Sequence, residues 1–221
     1  MRRPFARRML LALACICCIC ISACVGRQRT PWRLFTLSAL PRAEQTAPND
    51  SPGRVPLAIG VGPIHLPEYL DQDQIVSRVS RNRFALSEND RWAEPLADNV
   101  ANVLVENLSM LLQNDEAAVY PWPGRQRPSH QLEIDVLRFE TDTSGTAHLV
   151  ARYLLRDLAN GQTIATNETR LTATATDRST EQSVAMLSRA LGDFSVGLAK
   201  MIRERLEAGV PAASDSLRGA P

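Results

Sequence analysis

No cysteine occurs after position 24: all five (Cys15, Cys17, Cys18, Cys20, Cys24) crowd into the first 24 residues. That excludes a disulfide-stapled domain, so the remainder is expected to be held by packing alone, and its length suffices for one substantial core. An excess of one charge is also missing, with 25 Lys and Arg against 24 Asp and Glu and a net charge of +1. Four of those arginines (Arg2, Arg3, Arg7, Arg8) sit in an acid-free leader, so the chain beyond it carries −3. With no basic run, nucleic acid is excluded as a partner. The apolar stretch over 9–20 is shorter than the roughly 20 residues a helix needs to cross a bilayer. Histidines number only three (His65, His130, His148), none spaced with a second histidine or a carboxylate as metal ligands are. The cysteines at 15, 17 and 18 have no polar neighbours and behave as small apolar residues. No nucleophile elbow, phosphate loop or zincin motif occurs, and Gly60-x-Gly62 runs into Pro63 rather than a helix. No catalytic residue, no metal and no enzyme activity are expected.

What is present begins with a basic start, an apolar core and the small pair Ser22-Ala23, the layout of a secretory signal. Ile21-Ser22-Ala23-Cys24 resembles the lipobox of bacterial lipoproteins. In that family the thiol matching Cys24 receives a diacylglyceryl group, the chain is cut before it, and the new amine is acylated. The resemblance implies a signal peptide over 1–23 and a lipidated N-terminus and tether over 24–31. The only non-protein groups it implies are the diacylglycerol and N-acyl chain on Cys24. Fully extended, 25–31 reaches about 23 Å at roughly 3.3 Å per residue. By resemblance to sorted lipoproteins, Val25 rather than aspartate after Cys24 favours the outer membrane.

The chain then reads as a first strand over 32–37, an exposed loop over 41–54 and an apolar strand over 55–62 ended by Pro63. Residues 67–70 suit one helical turn, and 74–79 and 83–86 two short strands. Asp90 reads as the N-cap of a long helix over 91–113, with Pro95 in its opening turn. Trp92, Leu96, Val100, Val103, Leu104, Leu108, Leu111 and Leu112 form its apolar stripe, with Asp98, Asn102, Glu106 and Asn107 off it. Residues 118–120 make a short strand. Leu132, Ile134 and Val136 alternate before the phase slips to Leu137 and Phe139, which predicts a bulge. With a turn at Ser144-Gly145 and a hairpin signal at Asn160-Gly161, strands over 132–139, 147–155 and 162–176 form an antiparallel meander. Ser179 and Gln182 make a capping-box pattern for a second amphipathic helix, ended by Gly209 and Pro211. The expectation is a single two-layer α+β domain over 32–208, an antiparallel or mixed sheet with two long amphipathic helices on one face, then a disordered tail over 209–221.

Three stretches could act by contact. Residues 63–70 offer His65, Leu66 and Tyr69 in a loop, residues 120–124 hold Tyr120 and Trp122 between prolines, and Arg78, Arg81 and Arg83 gather positive charge. Loop packing and a solvated face are the ordinary alternatives. In order along the chain, Phe35-Thr36-Leu37, Ile59-Gly60-Val61-Gly62-Pro63, Pro67-Glu68-Tyr69-Leu70, Asp73-Gln74-Ile75-Val76, Arg91-Trp92-Ala93-Glu94-Pro95-Leu96, Val119-Tyr120-Pro121-Trp122-Pro123 and Asp135-Val136-Leu137-Arg138-Phe139 resemble the PqiC/YmbA group of lipoproteins. Phe35 stands where that group usually has tyrosine. The resemblance implies a non-enzymatic auxiliary lipoprotein of an ABC-type transport system, on the periplasmic face of the outer membrane. Its implied partners are an MCE-domain protein that moves lipids between the membranes, supporting membrane integrity, and the membrane lipid itself. A homo-oligomer, such as a ring around a tubular partner, stays open. The other reading of the same residues is a lipoprotein that itself binds a lipid or small apolar ligand between helices and sheet.

Overall fold

The computed structural model describes residues 31–41, 58–113, 117–122 and 127–209, with side chains to 206. The signal peptide, Cys24, most of the 41–54 loop and the tail expected over 209–221 lie outside them, apart from Pro41 and Gly209.

One strand organises the sheet. β6 (His130–Asp142) is 13 residues long. Along one edge it pairs antiparallel with β7 (Thr146–Asp157), which pairs antiparallel with β8 (Thr163–Thr174). Along its other edge two strands share its length. β2 (Ile59–His65) takes the first half in parallel, from Ile59↔His130 to His65↔Asp135, and β3 (Gln74–Ser80) takes the end at Ser77↔Thr141 and Arg78↔Asp142. The sheet therefore forks. One branch adds β5 (Ala118–Val119) beside β2, and the other adds β4 (Arg83–Trp92) and then β1 (Arg33–Phe35) beside β3. This mixed eight-stranded sheet with two helices is the α+β class expected.

The bulge predicted from the phase slip is real. The β6–β7 register shifts between Val136 and Arg138, leaving Leu137 as the extra, exposed residue while Phe139 returns to the core. Pro63, by contrast, does not end its strand. The β2–β6 register also shifts, between Val61 and Ile64, so Gly62-Pro63 is bulged where no ladder donor is needed. The Gly62 carbonyl, at φ +112, accepts instead from the Gln131 side-chain amide at 2.9 Å. Residues 67–70 make a hydrogen-bonded turn, with Leu70 N–H donating to Pro67 at 2.8 Å, rather than a helical element.

The helix expected from Asp90 starts later. α1 is Leu96–Leu112, with Pro95 at its N-cap in an extended conformation (ψ 130). Arg91 and Trp92 instead finish β4, paired with Gln74, Leu34 and Phe35, and the Trp92 N–H donates to Asp73 at 2.7 Å. Proline disfavours helix in the residue before it, so strand pairing holds to Trp92 and the Ala93 N–H still donates to Phe35 at 2.8 Å before the helix opens. Gln113, left-handed at φ 51, closes the helix on Met110 and Ser109 carbonyls. α2 (Thr180–Gly209) opens at Ser179, whose hydroxyl accepts the Gln182 N–H at 3.2 Å. Leu104 and Leu108 of α1 and Leu187, Leu191, Leu198 and Ile202 of α2 are almost wholly buried against Ile59, Leu132, Ile134, Leu149 and Leu155 of the sheet.

Asn107, read as lying off the stripe, is fully buried, and so is Asn99. Both serve the segment after β1. Asn99 Oδ1 accepts the Leu37 N–H and Asn107 Oδ1 the Leu40 N–H, each at 2.8 Å, while Ser188 accepts from Ser38 at 3.1 Å. The Asn107 amide donates on to Ser195, which donates to Leu191. Residues 36–40 are thus stitched to both helices, because an irregular strand of backbone needs side-chain partners for its donors. Leu40 lies so close to Gly192 that a Cβ there would come within 2.6 Å of it.

Candidate functional site

Tyr120 and Trp122 lie on β2, whose last residues open the 63–70 stretch. Tyr120 N–H donates to the Val61 carbonyl at 2.8 Å, and the Trp122 ring lies on Gly60, where a Cβ would come within 2.2 Å of it. Close approach is therefore what Gly60 supplies. Trp122 is half-buried and meets the Tyr120 ring edge-on at 5.1 Å, whereas Tyr120 is exposed. Replacing Gly60 with alanine is expected to eject the indole: Trp122 fluorescence shifts to the red, and the midpoint of thermal unfolding falls by a few degrees. An unshifted spectrum would show that the ring does not depend on that glycine.

His65 is exposed at the end of β2, its Nδ1 2.8 Å from Asp135 Oδ1. Leu66 and Tyr69 turn inward. Leu66 packs on the core, and Tyr69 stacks on Phe84 with ring centres 4.2 Å apart. Of the five candidate contact residues, His65 and Tyr120 face solvent, and Leu66, Tyr69 and Trp122 are wholly or partly engaged in packing.

Tyr69 leads to a cluster that sequence reasoning missed. Glu140, fully buried on β6, accepts from Arg78 Nε and Arg138 Nε at 2.7 Å each on one oxygen. Its other oxygen accepts from the Tyr69 hydroxyl at 2.9 Å and the Phe139 N–H at 3.2 Å. Burial, then the negative charge of Glu140 and its hydrogen bond, push the Tyr69 hydroxyl far above its ordinary range, so it stays a donor. Arg78 also lies over the Phe84 ring at 4.3 Å. The positive cluster read at 78, 81 and 83 is therefore divided: Arg78 is pinned, while Arg81 and Arg83 are exposed.

A second buried carboxylate, Asp90, joins three elements. It accepts from Arg33 at 2.7 Å and from the Thr180 hydroxyl at 2.5 Å. The Arg33 hydrogen bond is the main cause holding its carboxyl below the usual range, against the opposing effect of burial. Asp142 also lies low. Burial raises it, but donors from Ser144, His148 and Thr146 together outweigh that. Among the described residues no group of three or more His, Cys, Asp and Glu is arranged to hold a metal. No described helix is long and apolar enough to cross a membrane. Between helices and sheet the described core side chains are almost wholly buried. A cleft of about 340 Å³ lies elsewhere, among Ile75, Leu86, Thr141, Asp142, Arg178 and Thr180.

The described residues thus form a forked α+β sheet backed by two helices, with the buried carboxylates Glu140 and Asp90 each held by arginine and hydroxyl partners. The chain belongs to the family of ABC-type transport auxiliary lipoprotein components, whose family model matches residues 35–199. That family is a membrane-anchored component of the envelope that assists transport. Among solved structures, the chain is similar to protein XCC0632 from Xanthomonas campestris at 17% identity and a TM-score of 0.64, with 80% of this chain and 99% of that one covered. It is similar also to an uncharacterized protein at 20% identity and a TM-score of 0.62, with 78% and 99% covered. These likenesses show the fold. No curated protein matches the chain.

Proposed function

We propose that the protein is a non-enzymatic docking component of an envelope-spanning lipid transport system. Acyl chains on Cys24 hold it on the periplasmic face of the outer membrane, and its folded domain engages an MCE-domain transport protein. The observation that carries this reading is the family match, which extends over nearly the whole folded unit from β1 to α2. The surface offers a matching contact: Tyr120, its ring exposed beside the sheet-edge strand β5, with His65 farther along β2. An exposed aromatic on a backbone held by hydrogen bonding is the kind of residue that anchors an interface.

The test is co-purification of an MCE-domain protein from cross-linked envelopes. Tyr120→Ala removes the edge-on contact with Trp122 but keeps the backbone bond from residue 120 to Val61. It should lower recovery of the partner about tenfold, equivalent to about 1.4 kcal/mol of interface energy. Undiminished recovery with both Tyr120→Ala and His65→Ala would remove this surface from the reading.

A further inference from the structure

The outer edge of β8 is 12 residues long and carries no partner strand among the described residues. Among the described residues β8 pairs only with β7, and that register runs without a shift from Leu155↔Ala165 to Thr146↔Thr174. Over 163–174 there is no proline, glycine or lysine, the residues with which proteins usually blunt such an edge. Ala165 and Ala173 face the buried side, on which α2 packs, while Thr166, Glu168, Arg170 and Thr172 face solvent. An unpaired row of backbone donors and acceptors flanked by one acid and one base two residues apart is a template for another strand.

We propose that this edge pairs with β8 of a second copy, antiparallel about a two-fold axis through Thr169. The charge pattern selects both the occupant and the register. Across the sheet run Asp135↔Arg152 and Arg152↔Glu168, a row of alternating sign that stops at the open edge. With the axis at Thr169, Glu168 stands opposite Arg170 of the second copy, and the alternation continues, twice by symmetry. The same register sets Ala165 against Ala173 and Thr166 against Thr172, so buried meets buried and exposed meets exposed. An axis at Glu168 would oppose two glutamates, and one at Arg170 two arginines. A shift by one residue would turn each buried face toward solvent. In the single chain Arg170, largely exposed, folds back along its own strand to Glu168 at 2.5 Å, a contact that the second copy's Glu168 would replace.

This pairing goes beyond the docking reading and does not depend on it. The full-length chain in detergent is expected to sediment at twice the protomer mass. Arg170→Glu and Glu168→Arg should each sediment at the protomer mass, and an equimolar mixture of the two should return to twice that mass, because each then supplies the charge the other lacks. Oxidation of Thr169→Cys, which sits on the axis, should give a covalent dimer, whereas Thr163→Cys, twelve residues from its own symmetry mate, should not. A wild-type chain at the protomer mass overturns the proposal. So does an Arg170→Glu chain that stays associated, a mixture that fails to pair, or equal cross-linking from positions 163 and 169.

Discussion

Replacing Glu140 with alanine is expected to destabilise the fold by about 3 to 5 kcal/mol, the cost of leaving partly buried cations without their counter-ion. Because Arg78 and Arg138 keep 24% and 28% of their side-chain surface in solvent, the lower part of that range is the expectation. The loss has three components: two guanidinium groups lose their acceptor, the buried Tyr69 hydroxyl loses its own, and a void opens under the Tyr69–Phe84 stack. Arg138→Ala should cost far less, about 1 kcal/mol, since Arg78 and Tyr69 remain on the carboxylate. Urea unfolding of both variants measures the difference. Equal midpoints would mean that Glu140 is not the point on which β3, β6 and the turn holding Tyr69 converge.

Changing Cys24 to serine should abolish lipid attachment altogether. A hydroxyl in place of the thiol cannot form the thioether, and the apolar stretch over 9–20 is too short for a stable span of its own. Cells labelled with radioactive palmitate should show a labelled wild-type band and none for the variant, and the variant should leave the washed membrane fraction. Label retained by the serine variant would break the link between this chain and the membrane.

How much of this was legible in the sequence follows from the range of each interaction. α2 and its cap, the 160–161 hairpin and the bulge at Leu137 are written within a few residues of themselves, and all are present. The fork of the sheet is not, because it depends on β6 sharing one edge between β2 and β3, a matter of pairing across 60 residues or more. Asp90 shows the same limit. An acid ahead of an apolar periodicity is a sound cap signal, but Arg33 and Thr180, 57 residues upstream and 90 downstream, claim it instead. Asn107 and Glu140 look like surface residues to any periodicity argument, and only their distant partners make burial tolerable. Within the 120–124 stretch, the sequence could not tell that Trp122 is committed to Gly60 while Tyr120 is exposed.

The stitched segment over 36–40 bears on how the domain carries a load. A pull arriving from the N-terminal side meets the Arg33–Asp90–Thr180 link first, then three backbone donors fastened to two different helices. Such a load is shared in shear between the sheet and the helix layer, and it does not peel one strand. Residues 36–40 therefore belong mechanically to the folded domain, and a force applied at Arg33 is passed to the sheet and to both helices together.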